Sequence, residues 1–82
     1  MNILERLAEL EHKQWVTWAK KIIETEPGLS KERVERWQKL FVPYSELPDE
    51  FKEYDREWAR YVLRECRLCL EDDAPAYYFG VE

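Results

Sequence analysis

Two prolines five residues apart, Pro43 and Pro48, constrain this chain more than any other feature. On either side run long stretches without Pro or Gly, Met1 to Glu26 and Asp49 to Ala74. Proline has no backbone N–H and biases the residue before it away from the helical region. Val42 and Leu47 are therefore pushed toward extended backbone, and the segment from Phe41 to Leu47 reads as an irregular connector between helical arms. Pro48 suits a first helical position, and Asp49 and Glu50 behind it favour the positive end of a helix.

The arms follow from periodicity. Ile3 to about Glu24 is a helix whose stripe contains Leu4, Leu7, Ala8, Trp15, Trp18, Ala19 and Ile22, with Glu11 projecting into the stripe and His12 on its edge. Glu26-Pro27-Gly28 ends it, and Ser30 is placed to N-cap a second helix running to about Leu40. Val34, Trp37, Leu40 and Phe41 form that helix's inner face. The third helix runs from near Pro48 to about Leu70, with Phe51, Trp58, Val62, Cys66 and Cys69 as its apolar stripe and Asp55 among them. Ala76 to Val81, containing Tyr77, Tyr78 and Phe79, is apolar enough to pack on the helices or on a neighbouring subunit as a short extended tail. The expected fold is mainly α, a three-helix single domain spanning residues 1–82.

A domain of 82 residues buries only about 60–65% of the surface its unfolded chain exposes, so its core is thin. Two cysteines and one histidine cannot close a four-ligand zinc site within one chain. Self-association, helped by four Trp, five Tyr and three Phe, is then the expected remedy. The net charge of −5 argues against a nucleic-acid polymer as partner, because phosphate contacts need a basic face. No apolar run is long enough to cross a bilayer and no signal-type segment opens the chain, so the expected compartment is cytoplasmic, with reduced thiols.

Four groups of residues could carry chemistry. Glu11 and Asp55 each place a carboxylate on an apolar stripe, where an unpaired charge is costly. Such a pair suits acid–base work or a structural salt bridge; with no nucleophile beside it, the structural and orienting role is favoured, with His12 as a hydrogen-bonding orienter. Arg56, Arg60, Arg64 and Arg67 recur at spacings of four, four and three on one helix face. They suit either phosphate recognition or ion pairs such as Glu53 with Arg56 and Glu57 with Arg60. Trp15, Trp18, Trp37, Trp58, Tyr44 and Tyr54 could stack on a nucleobase or serve as core. Cys66-Arg67-Leu68-Cys69 lies near a helix C-terminus, the wrong end to lower a thiol pKa, so the cysteines are expected to be buried and inert.

Leu7-Ala8-Glu9-Leu10-Glu11-His12 with Trp15, then Val42-Pro43-Tyr44 with Glu46-Leu47-Pro48, then Lys52-Glu53-Tyr54-Asp55-Arg56-Glu57 together resemble the RyR domain. This is the repeat named for ryanodine receptors and found as single copies in bacteria and phages. The resemblance covers roughly residues 7–63, and His12, Trp15, Pro43, Tyr44, Leu47, Pro48, Asp55 and Arg56 match its pattern. One departure stands out. Where the family carries a Gly-Trp turn and a short hairpin, this chain has residues 22–30 and a helical stretch to Leu40. The resemblance implies a mostly helical fold and association with nucleotide-derived ligands, and in a phage setting it implies sequestration of host immune nucleotide signals.

The expected function is therefore a non-enzymatic, self-associating module for a nucleotide-derived small molecule, with no cofactor and no metal. Trp15 or Trp18 and Tyr44 would stack on the base, and Arg56 with Arg60 or Lys52 would meet phosphates. The alternative is a protein–protein assembly module with no small ligand.

Overall fold

A computed structural model of the protein describes residues 2–72, in the order α1 (Ile3–Thr25), α2 (Lys31–Gln38), a 3-10 turn (Tyr44–Glu46) and α3 (Asp49–Asp72). The fold is mainly α, a three-helix domain with no strand among the described residues. The expected packing of residues 76–81 lies outside them.

Local chemistry sets the start of each helix and the ends of α1 and α2. The Asn2 side chain accepts from the backbone N–H of Glu5 at 2.9 Å, closing the first turn of α1. Glu26, before Pro27, is extended at φ −114°, ψ 101°, and α1 stops there. The Ser30 hydroxyl accepts from the Arg33 N–H at 3.1 Å and starts α2. This helix is two residues shorter than expected, because Leu40 and Phe41 bond back three residues, to Trp37 and Gln38, and tighten the last turn. Leu47 takes the extended backbone that Pro48 demands, φ −69° and ψ 145°. Pro48 then supplies a carbonyl to the N–H groups of Phe51 and Lys52, opening α3.

The two long helices run antiparallel: Trp15 lies near Phe51, His12 near Asp55 and Ala8 near Ala59, one index rising as the other falls. Ala8 and Ala59 are fully buried between them, and Tyr44 and Leu47 from the connector complete the cluster, with Leu4, Leu7, Leu40, Val42 and Phe51 packed around it. The short α2 leans on the far half of α1 through aromatic edges. Trp37 sits 6.0 Å from Trp15 and 5.7 Å from Trp18 between ring centroids, and Ala19 on this half of α1 is fully buried.

Helix faces differ from the expected ones. On α1, His12 is buried at the centre of the packed stripe, Glu11 is half-buried beside it, and Trp18 is largely exposed. On α3 the packed side is Phe51, Asp55, Ala59 and Leu63, flanked by the stems of Lys52 and Arg56. Trp58, Val62 and Cys66, expected inside, are exposed. The cause is steric. Where two helices approach closely the contact favours a small residue, so Ala59 faces inward and its bulky neighbours turn out. Cys69 lies beyond the residues whose side chains are described.

Candidate functional site

The first cluster ties the connector to both long helices. The Nε of Arg56 donates to Glu5 Oε2 at 2.7 Å and its Nη2 donates to Oε1 at 3.3 Å. The Nη1 group donates to Asp49 at 3.1 Å and Glu53 at 3.4 Å. The Tyr44 hydroxyl donates to Glu5 Oε1 at 2.9 Å. Hydrogen bonds from Arg56, then from Tyr44, hold the Glu5 carboxyl below its ordinary range, and the same carboxylate raises the Arg56 guanidinium. Burial first, and the bond to Glu5 second, push the Tyr44 phenol up to about 12. A guanidinium has five N–H donors, and here they meet three carboxylates. Four of those donors are used and one on Nη2 remains, but the surrounding carboxylate charge disfavours an approaching phosphate.

The second cluster is a groove of about 240 Å³ between α1, the connector and α3, lined by His12, Trp15, Leu40, Leu47, Phe51, Tyr54 and Asp55. Its floor is apolar and its aromatic edges come from separate helices. His12 Nε2 donates to the Val42 carbonyl at 2.7 Å, which anchors the ring to the connector and leaves Nδ1 3.8 Å from Asp55 Oδ2. The His12 ring is stacked near Trp15, 6.3 Å between centroids at 22°. Burial pushes the Asp55 carboxyl up; charge on His12 opposes this and the Glu11 carboxylate adds to it. The groove therefore presents flat apolar walls and one partly desolvated carboxylate, an acceptor for N–H donors on a flat ring. Among its lining residues are a histidine and a carboxylate, but no Ser, Cys or Lys nucleophile.

Of the residues singled out in the sequence, Trp15, His12 and Asp55 meet at this groove. Tyr44 is only 4% exposed, with Lys52 over its ring at 5.5 Å. Arg60 donates to Glu53 at 2.7 Å, in place of the expected pairing with Glu57, and that bond holds the Glu53 carboxyl below its ordinary range. Trp18 borders a separate shallow surface with Lys20 and Lys21. Glu11 acts on the groove through its charge on Asp55.

A wider cleft of about 450 Å³ shares His12 as a wall and carries Lys13 and Lys20. Neither lysine has a carboxylate partner among the described residues, although Lys20 sits over the Phe41 ring at 5.5 Å. Sequence reasoning missed these lysines and missed Glu5. For Glu5 a signal existed: Glu5, Ala8, His12, Trp15 and Ala19 recur at spacings of three and four, the true packed stripe of α1. No described helix is long and apolar enough to cross a membrane.

Comparison with protein-family models, curated proteins and solved structures gives no match to this chain.

Proposed function

We propose that this chain is a non-enzymatic binding module for a nucleotide-derived small molecule, held by its base in the groove of Trp15, Tyr54 and Asp55. The observation that carries the reading is the composition of that groove: aromatic and aliphatic walls around a single carboxylate fixed near His12. A flat heterocycle would lie against Trp15 and donate an amino or ring N–H to Asp55. Three carboxylates already occupy Arg56, and Arg60 is paired with Glu53, so the phosphate contacts in this reading pass to Lys13 and Lys20 across the wall of His12. Resemblance to the RyR domain over residues 7–63 supports the same ligand class. Sequestration of a host signal by a phage-encoded copy is the form of this function that the resemblance suggests.

Titration calorimetry against nucleosides and against linear, cyclic and ADP-ribose-type nucleotides tests the reading. Saturable heat with at least one of them is expected, abolished by Trp15→Ala. Lys13→Ala with Lys20→Ala should weaken a phosphorylated ligand and leave its nucleoside unaffected. No heat across the panel from protein purified free of ligand would end this proposal. The second reading, an assembly module without a small ligand, is favoured by the exposed aromatic face of α3, where Tyr54, Trp58 and Tyr61 are each at least half exposed.

A further inference from the structure

The side of α3 turned away from α1 carries Trp58, Tyr61 and Val62, which are 58%, 50% and 41% exposed. The Trp58 and Tyr61 rings already pack edge to face, 5.3 Å between centroids, so the patch has a set shape before anything covers it. Beneath it the contact with α1 is made by alanine, and no large side chain is fully buried among the described residues. The apolar content missing from the core of this domain therefore stands on its outer face.

Charge at the edge of the patch identifies what fits there. Glu57 and Arg64 are seven residues apart, two helical turns and about 10.5 Å along the axis, on the same edge of the strip. Two other pairs at this spacing close on the same helix, Asp49 with Arg56 and Glu53 with Arg60, yet Glu57 and Arg64 do not meet. Arg60, one turn beyond Glu57, is bound to Glu53, and Arg56, beside Glu57 in sequence, is bound to Glu5, Asp49 and Glu53. Among the described residues neither Glu57 nor Arg64 has an ion-pair partner. Their midpoint falls between Arg60 and Tyr61, in the middle of the Trp58–Val62 patch.

We propose that two copies of this chain pair through this face, their α3 helices antiparallel about a twofold axis passing beside Arg60 and Tyr61. Glu57 of each copy then lies level with Arg64 of the other, and Trp58, Tyr61 and Val62 are covered by the same residues of the second copy. Two-fold pairing requires a self-complementary patch, and opposite charges equidistant from the patch centre supply one. In a parallel pairing the twofold axis runs along the helices and carries Glu57 and Arg64 of the second copy to the opposite edge, where they stay unpaired. The pairing surface contains none of Trp15, His12 or Asp55; Tyr54, which lines the groove, stands one turn from Trp58 on the same side of α3.

Sedimentation equilibrium of the full chain over a concentration series tests the pairing. The parent should approach twice the 10.1 kDa chain mass, and Trp58→Ala should return it to one chain mass over the same range. Glu57→Arg replaces two attractions by two repulsions and should weaken the dimer about tenfold. Adding Arg64→Glu to Glu57→Arg restores both pairs in reversed sense and should recover most of that loss. A parent that stays at one chain mass at every concentration would overturn the proposal. So would a dimer indifferent to Trp58→Ala, or a double charge reversal no tighter than the single one.

Discussion

Truncating Leu47 to alanine is expected to remove a large share of the stability of this domain. Leu47 is buried where the connector enters the contact between α1 and α3, within the cluster of Ala8, Tyr44 and Ala59. The substitution deletes three carbons, about 2.4 kcal/mol at roughly 0.8 kcal/mol each. A closed cavity would add more, up to about 5 kcal/mol in all. Leu47 also lines the open groove, however, so the lost volume merges with solvent and the cost stays near the lower end, about 2.5–3 kcal/mol. A domain of 82 residues has about 4–12 kcal/mol to lose, and the thermal midpoint should fall by about 10–20 °C. Urea unfolding followed by far-UV circular dichroism measures this, at one fixed low protein concentration so that association does not contribute. A loss below about 1 kcal/mol would refute the reasoning, because the connector would then be held by its backbone and prolines without Leu47 as its plug.

Other outcomes follow from the charged groups and caps. The folded state holds the Glu5 carboxyl below 4.5 through Arg56 and Tyr44, so its contribution is present above that value and lost as pH falls through the lower folded value. Glu5→Gln should therefore lower the urea midpoint at neutral pH and flatten its decline in acid; an unchanged acid limb would contradict this assignment. Asp55 has the opposite sign. Its folded carboxyl is raised above 3.8 by burial, so its stability contribution is lost as pH rises through the folded value, and ionised Asp55 opposes folding at neutral pH. Asp55→Asn should raise the neutral-pH urea midpoint while abolishing ligand heat in calorimetry, and a lower midpoint would argue against the sign. Ser30→Ala removes the cap on α2 and should cost about 1 kcal/mol in urea unfolding, with Trp37 fluorescence shifted as α2 loosens on Trp15 and Trp18.

Much of the fold could be read from residues whose effect is local. Pro27, Pro43 and Pro48 force extended backbone onto the residue before them, and Ser30 offers a hydroxyl to a helix start whatever lies elsewhere in the chain. The inner face of α3 was not legible in the same way. Its apolar residues occupy two sides of the helix, and size alone selects Trp58 and Val62, whereas close helix approach selects Ala59. The Glu5–Arg56–Tyr44 cluster joins residues 39 and 51 positions apart, a pairing that periodicity within one helix cannot reveal. For the groove, Trp15, His12 and Asp55 were visible as candidates because each is unusual on its stripe. Of the three carboxylates around Arg56, Glu53 and Asp49 lie one and two turns before it on α3, and only Glu5 depends on how α1 packs against α3.

The central claim is that a flat, nitrogen-bearing ring occupies the groove between Trp15 and Asp55. Native mass spectrometry of the full chain, purified gently from cells, tests it most directly. The account predicts a bound mass in the nucleotide range on each copy of the parent, absent from Trp15→Ala and from Asp55→Asn while both variants remain folded. Parent protein of bare chain mass that takes up none of the nucleotides offered to it would contradict the claim, as would a bound mass retained equally by both variants.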